Sequence, residues 1–253
     1  MEENWDYVDL VKAHKILMIL ESRFKYYSVY MDNRKPEVWL ESDNVPLKEV
    51  LLLFGWIHSW DPNYNAEITK FLIECEKIFP SMKRLKHRTI IDVKLTKEKR
   101  AEIALIFDTL ADCCRIPWRK KVGKFESTDT SKALHGMIPE LFVMWDDRIK
   151  EKILGIIGKG WARDYDGKVY ADKFLPLMQS RAKQVLDSYV NAKGGSCSDA
   201  GKEISKLVDG FTLAKIVDEF NYLRFTKNWS IAQIRTGKKD SISIDFRDLK
   251  SIL

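Results

Sequence analysis

The residues best equipped for chemistry in this chain are a few carboxylates and two basic clusters. Asp146 follows an apolar run, Pro139-Glu140-Leu141-Phe142-Val143-Met144-Trp145, and precedes Asp147-Arg148-Ile149. One well-placed carboxylate can stabilise positive charge on a sugar or activate water. Asp is also favoured at a helix N-cap, so the position has a purely structural reading too. Arg115, Arg119, Lys120, Lys121 and Lys124 crowd a short stretch with Trp118 among them, and Lys83, Arg84, Lys86, His87 and Arg88 form a second cluster. Lys and Arg neutralise phosphates without reading sequence, and Trp118 could stack on an unpaired base. Solvated loop charge is the competing reading. Asp218 and Glu219 are adjacent, so on a helix they diverge by about 100° and do not easily share one small site; surface charge is the expectation for them.

The other chemical side chains are dispersed. His14, His58, His87 and His135 are scattered, and a lone His on an apolar helix is usually packed rather than catalytic. Cys75, Cys113, Cys114 and Cys197 form no C-x-x-C pair and have no His at zinc-ligand spacing, so reduced thiols are expected. A phosphate-cradling Gly-rich loop, a G-x-S-x-G elbow and an H-E-x-x-H pair are all missing, which removes the enzyme classes built on them. No cofactor or metal is expected.

These residues must be positioned by helices. Apolar residues recur at helical spacing from Asp6 to Tyr27, from Pro46 to Trp60, from Asn65 to Ile78 with Pro80 as a stop, and from Thr96 to Cys114. Further helices are expected over Thr130–Met137, from Asp146 onward, and over Tyr170–Asn191, Ser198–Val208 and Thr212–Phe225. Thr89–Val93 and Ser241–Asp245 are the only β-like patches. The pattern predicts an all-α, mainly helical fold with at most minor β, a two-lobed helical domain forming one globular unit over 1–253. The lobe boundary is expected at the basic loop 116–124, between lobes 1–115 and 125–253.

From Val122 to Ile149 the order of elements resembles the core of the helix-hairpin-helix DNA glycosylase superfamily. There a glycine hairpin and a helix lead to an apolar run and a catalytic Asp, the place that Trp145-Asp146-Asp147-Arg148-Ile149 takes here. The resemblance implies that Asp146 acts in base excision on DNA. Val122-Gly123-Lys124-Phe125-Glu126-Ser127-Thr128 lacks the paired glycines of the hairpin, and no Schiff-base Lys stands at the family's position, the corresponding place being near Thr128. The same segment is more closely similar to bacterial and archaeal proteins of unassigned function that share Lys132, Leu134, His135, Pro139, Leu141, Phe142, Trp145 and Asp146, a likeness that implies no activity.

Composition fits this frame. Of 253 residues, 45% are hydrophobic and 32% charged, with a net charge of +6, a globular balance whose mild basic excess suits polyanions without demanding them. The N-terminus has no secretory pattern and no run of about 20 apolar residues occurs, so a cytoplasmic protein without a membrane partner is expected. The leading expectation is nucleic-acid binding through Trp118, Arg119, Lys120, Lys121 and Lys124, with glycosylase-like chemistry at Asp146. The alternatives are a non-enzymatic protein-interaction domain, and a metal-dependent hydrolase or nuclease in which Asp146, Asp147 or Asp218 joins at least three converging carboxylates.

Overall fold

A computed structural model describes residues 5–35, 39, 41–61, 66–113, 127–155 and 166–249. The fold is all-α. Its helices are α1 Tyr7–Leu20, α2 Arg23–Asn33, α3 Leu47–Trp60, α4 Ile68–Leu85, α5 Lys97–Asp112, α6 Ser127–Met137, α7 Asp147–Leu154, α8 Asp166–Val169, α9 Leu175–Lys193, α10 Cys197–Leu207, α11 Leu213–Asn221 and α12 Ile231–Thr236. A π turn, Tyr170–Phe174, joins α8 to α9, and another, Tyr222–Thr226, extends α11. The only sheet among the described residues is a hairpin, β1 Lys238–Lys239 paired antiparallel with β2 Ile242–Ser243. No described helix is long and apolar enough to cross a membrane.

Helix starts follow the capping residues. Asp6, Thr96, Ser196, Thr212 and Ser230 each accept a backbone N–H of the first turn with a side-chain oxygen. The Asp6–Tyr27 pattern resolves into two helices, because the chain leaves helical geometry at Glu21 and turns to lay α2 against α3. Pro80 lies inside α4 rather than ending it. The backbone bond it forgoes would go to Glu76, on the solvent side, while Ile78, Phe79, Met82 and Leu85 carry the buried face past it. Thr89–Val93 forms turns instead of a strand: the Thr89 hydroxyl accepts from Ile91 and Asp92 N–H, and Asp92 accepts from Thr89 N–H.

At the centre lies an extended segment, Leu141–Trp145, in which every side chain is buried. Buried irregular backbone needs partners for its polar groups, and the surrounding helices supply them. The Ser131 hydroxyl of α6 accepts from Trp145 N–H (3.2 Å) and donates to Thr128 C=O. His135 donates from Nδ1 to Phe142 C=O at 2.6 Å, and Tyr170 donates to Val143 C=O at 2.8 Å. Just upstream, Thr212 donates to Pro139 C=O (2.7 Å) and Ile90 N–H to Glu140 C=O (2.8 Å). The helices also fit closely there. A Cβ on Gly136 would come within 2.4 Å of Leu53 Cδ1 and 3.1 Å of Trp56, so α6 reaches α3 only as glycine.

Candidate active site

Asp146 emerges from this buried segment at the start of α7. One carboxylate oxygen accepts from Ile149 N–H at 2.8 Å as an N-cap, and the other accepts from the Thr226 hydroxyl at 2.5 Å. The carboxylate is therefore fixed from two directions while its residue stays half-buried. Both π turns serve this region: Tyr170 and Phe174 of the first pack on Trp145, and Thr226 of the second holds Asp146. Single-turn π segments often accompany functional sites. Asp147 and Arg148 point to solvent, Asp147 pairing with Lys150 at 2.9 Å.

Beside Asp146, α11 carries charged groups that the fold has taken inside. Asp218 and Glu219, expected at the surface, are both buried, and Lys215 is fully so. They lie in a stripe otherwise composed of Leu213, Ile216, Val217 and Phe220, and they are tolerated because each has a counter-charge. The Lys215 ammonium stands 2.9 Å from Asp218 and 3.4 Å from Glu219, and it sits over the rings of Phe24 (4.4 Å) and Tyr27 (4.9 Å). Glu219 accepts from His14 Nδ1 at 2.7 Å, and His14 Nε2 reaches the exposed Asp209 at 3.3 Å. The 100° separation of Asp218 from Glu219 thus serves two directions from one lysine, with Asp218 on the Asp146 side and Glu219 toward α1.

Burial pushes the Asp218 carboxyl up to about 6; Lys215 opposes the shift, and the charges of Glu219 and Asp146 add to it. Burial also raises Glu219, but Lys215 and His14 outweigh it, and its net shift is downward. For His14, burial lowers the pKa while Glu219 and Asp209 reverse the effect, leaving it raised. With carboxylates at both ring nitrogens, His14 donates twice as an imidazolium.

His135, which the apolar motif made conspicuous, plays no part at Asp146. Its Nδ1–H is committed to Phe142 C=O, its Nε2 accepts from Tyr27 at 2.8 Å, and burial lowers its pKa to about 3. Lys132 is likewise turned inward, 2.7 Å from Asp129. Trp118, Arg119, Lys120, Lys121 and Lys124, the expected nucleic-acid contacts, lie outside the described residues, as do the lobe-joining loop 116–124 and residues 122–126 of the hairpin-like stretch. Among the described residues, no group of at least three His, Cys, Asp or Glu side chains is arranged to hold a metal ion.

The signal that could have revealed the interior cluster was present: Lys215, Asp218, Glu219 and His14 each interrupt an apolar helical stripe, and charges so placed are inside only when paired. What the sequence does not encode legibly is the pairing between α1 and α11, which are about two hundred residues apart. Comparison with protein-family models, with curated proteins and with solved structures gives no match.

Proposed function

We propose that this protein binds nucleic acid and hydrolyses an N-glycosidic bond within it, with Asp146 as the principal catalytic carboxylate. The observation that carries the reading is the Asp146–Asp218 pair. One carboxylate is half-exposed and oriented by an N–H and a hydroxyl, and the neighbouring carboxyl is held protonated into the mildly acidic range. Pairs of carboxyl groups whose environments separate their protonation are the usual basis of acid and base roles. In the reaction, the bond between sugar C1′ and the base nitrogen breaks with its electron pair leaving on the base, which takes the Asp218 proton. The Asp146 carboxylate stabilises the positive charge on the sugar; water then adds to C1′ and gives its proton to Asp146.

Asp146→Asn tests the proposal cleanly, since Asn caps a helix as well as Asp does and the fold should persist. Single- and double-stranded DNA containing uracil, alkylated or oxidised bases is incubated with each protein and assayed for alkali-labile abasic sites. Abasic sites are expected with the parent protein and are expected to fall at least about a hundredfold in the variant, the scale of losing one charge-stabilising group. Equal activity in the two, or none in the parent, removes the glycosylase reading. The same outcome would favour a non-enzymatic interaction protein, for which the full engagement of Asp146 as a cap already speaks.

A further inference from the structure

The Tyr222–Thr226 turn has a second face. Where Thr226 holds Asp146, Leu223 and the following Lys227 line an open cleft of about 330 Å³ between the end of α1 and the C-terminal hairpin. Its floor is apolar, with Leu20, Leu223 and Trp229, and its rim is polar, with Glu21, Lys227 and Lys239. Such a space, mostly apolar with a few convergent polar groups, suits a small planar ligand. Lys227 and Glu21, paired at 2.7 Å, offer a donor and an acceptor side by side, as the edge of a nucleobase requires.

Cations run along this rim as a connected row. Arg23 approaches Glu21 at 3.9 Å with its side chain half-exposed; Glu21 pairs with Lys227; and Lys239 donates to the backbone carbonyls of Lys227 (2.7 Å) and Asn228 (3.0 Å). The hairpin bearing Lys239 is fixed by Gly237, whose φ of +68° and 2.6 Å approach to Ile244 C=O admit no side chain. The cations therefore have defined positions beside an apolar slot.

We propose that this cleft and its rim bind single-stranded or locally unpaired nucleic acid, one base entering the slot over Trp229 and neighbouring phosphates lying on Arg23, Lys227 and Lys239. A stacked duplex keeps its bases paired, so a slot of this size takes a base only from an unpaired strand. The inference rests on the nucleic-acid reading for its class of partner, but not on any chemistry at Asp146.

The test uses the full chain and anisotropy of a labelled short single strand across a salt series, with an abasic strand of equal length, the matching duplex and polyglutamate as competitors. The single strand is expected to bind best. The double variant Lys227→Ala/Lys239→Ala should bind at least tenfold more weakly, with the slope of log K against log salt shallower by about 1.4, for two phosphate contacts on a single strand. Leu20→Trp, which fills the slot, should reduce binding to the abasic level, and the indole N–H resonance of Trp229, assigned with Trp229→Phe, should shift only with strands that contain bases. Unchanged affinity in the folded lysine variant, preference for the duplex, or equal competition by polyglutamate overturns the proposal. Asp146→Asn separates the two ideas. Lysine-dependent binding without excision leaves this surface standing and ends the glycosidic reading; excision that ignores the lysine variant does the reverse.

Discussion

His14 joins helices from the two ends of the chain, and its titration has a readable sign. Its pKa is raised above its ordinary 6.5 on folding, so the stability it adds is fully present below about pH 6.5 and is lost as pH rises through the higher folded value. Glu219 works from the other side: its folded pKa lies below 4.5, so its contribution is present above pH 4.5 and is lost on acidification. Asp218 opposes both, since between about pH 3.8 and 6 the folded state holds a proton that the unfolded state has released, and stability falls as pH rises through that window. Urea unfolding of His14→Gln as a function of pH should show a flatter profile than the parent above pH 6.5; a parallel profile would mean the imidazolium is not formed. His14 was legible only as a histidine likely enough to be packed in an apolar stripe; its partner Glu219 was not, because periodicity describes which face is buried and says nothing about what that face meets.

At the scale of the element, α6 and the segment after it show why a motif can be conspicuous without being catalytic. Ser131 and His135 stand one turn apart on α6 and both serve the backbone of Phe142 and Trp145. Their spacing is set by a strand-like neighbour with no sheet to join. Ser131→Ala should cost about 1–3 kcal/mol, the penalty for leaving a buried N–H unpaired, measured as a lower denaturant midpoint with unchanged slope. Helix α11 presents the counterpart in charge. Lys215→Met, close in shape, leaves Asp218 and Glu219 facing each other without their shared cation and should cost about 3–5 kcal/mol. A loss under 1 kcal/mol in the same urea titration would show that the aromatic rings, rather than the ion pairs, hold that position. The helical pattern of α6 and α11 was readable from their apolar spacing, and so was the N-cap at Asp146; the inward turn of the charged residues was not, because pairing across space leaves no trace in local spacing.

Across the whole molecule, helical class, most helix starts and the short C-terminal hairpin follow from capping residues and apolar spacing. The departures arise where tertiary packing overrides local signals, at Glu21, where one periodic stretch becomes two helices, and at Pro80, where a buried face carries α4 through a residue that normally ends helices. The packing of α1 against α9, α11 and α12 joins the beginning of the chain to its last third. The central segment depends on the same arrangement. Its carbonyls and N–H groups are satisfied by Ser131, His135, Tyr170 and Thr212, contributed in turn by helices from the middle to the end of the sequence. During synthesis from the N-terminus, Leu141–Trp145 leaves the ribosome before Tyr170 and Thr212 exist. The stickiest stretch of the nascent chain therefore waits, uncovered, for most of the remaining translation, and the finished centre can close only after nearly the whole polypeptide has been made.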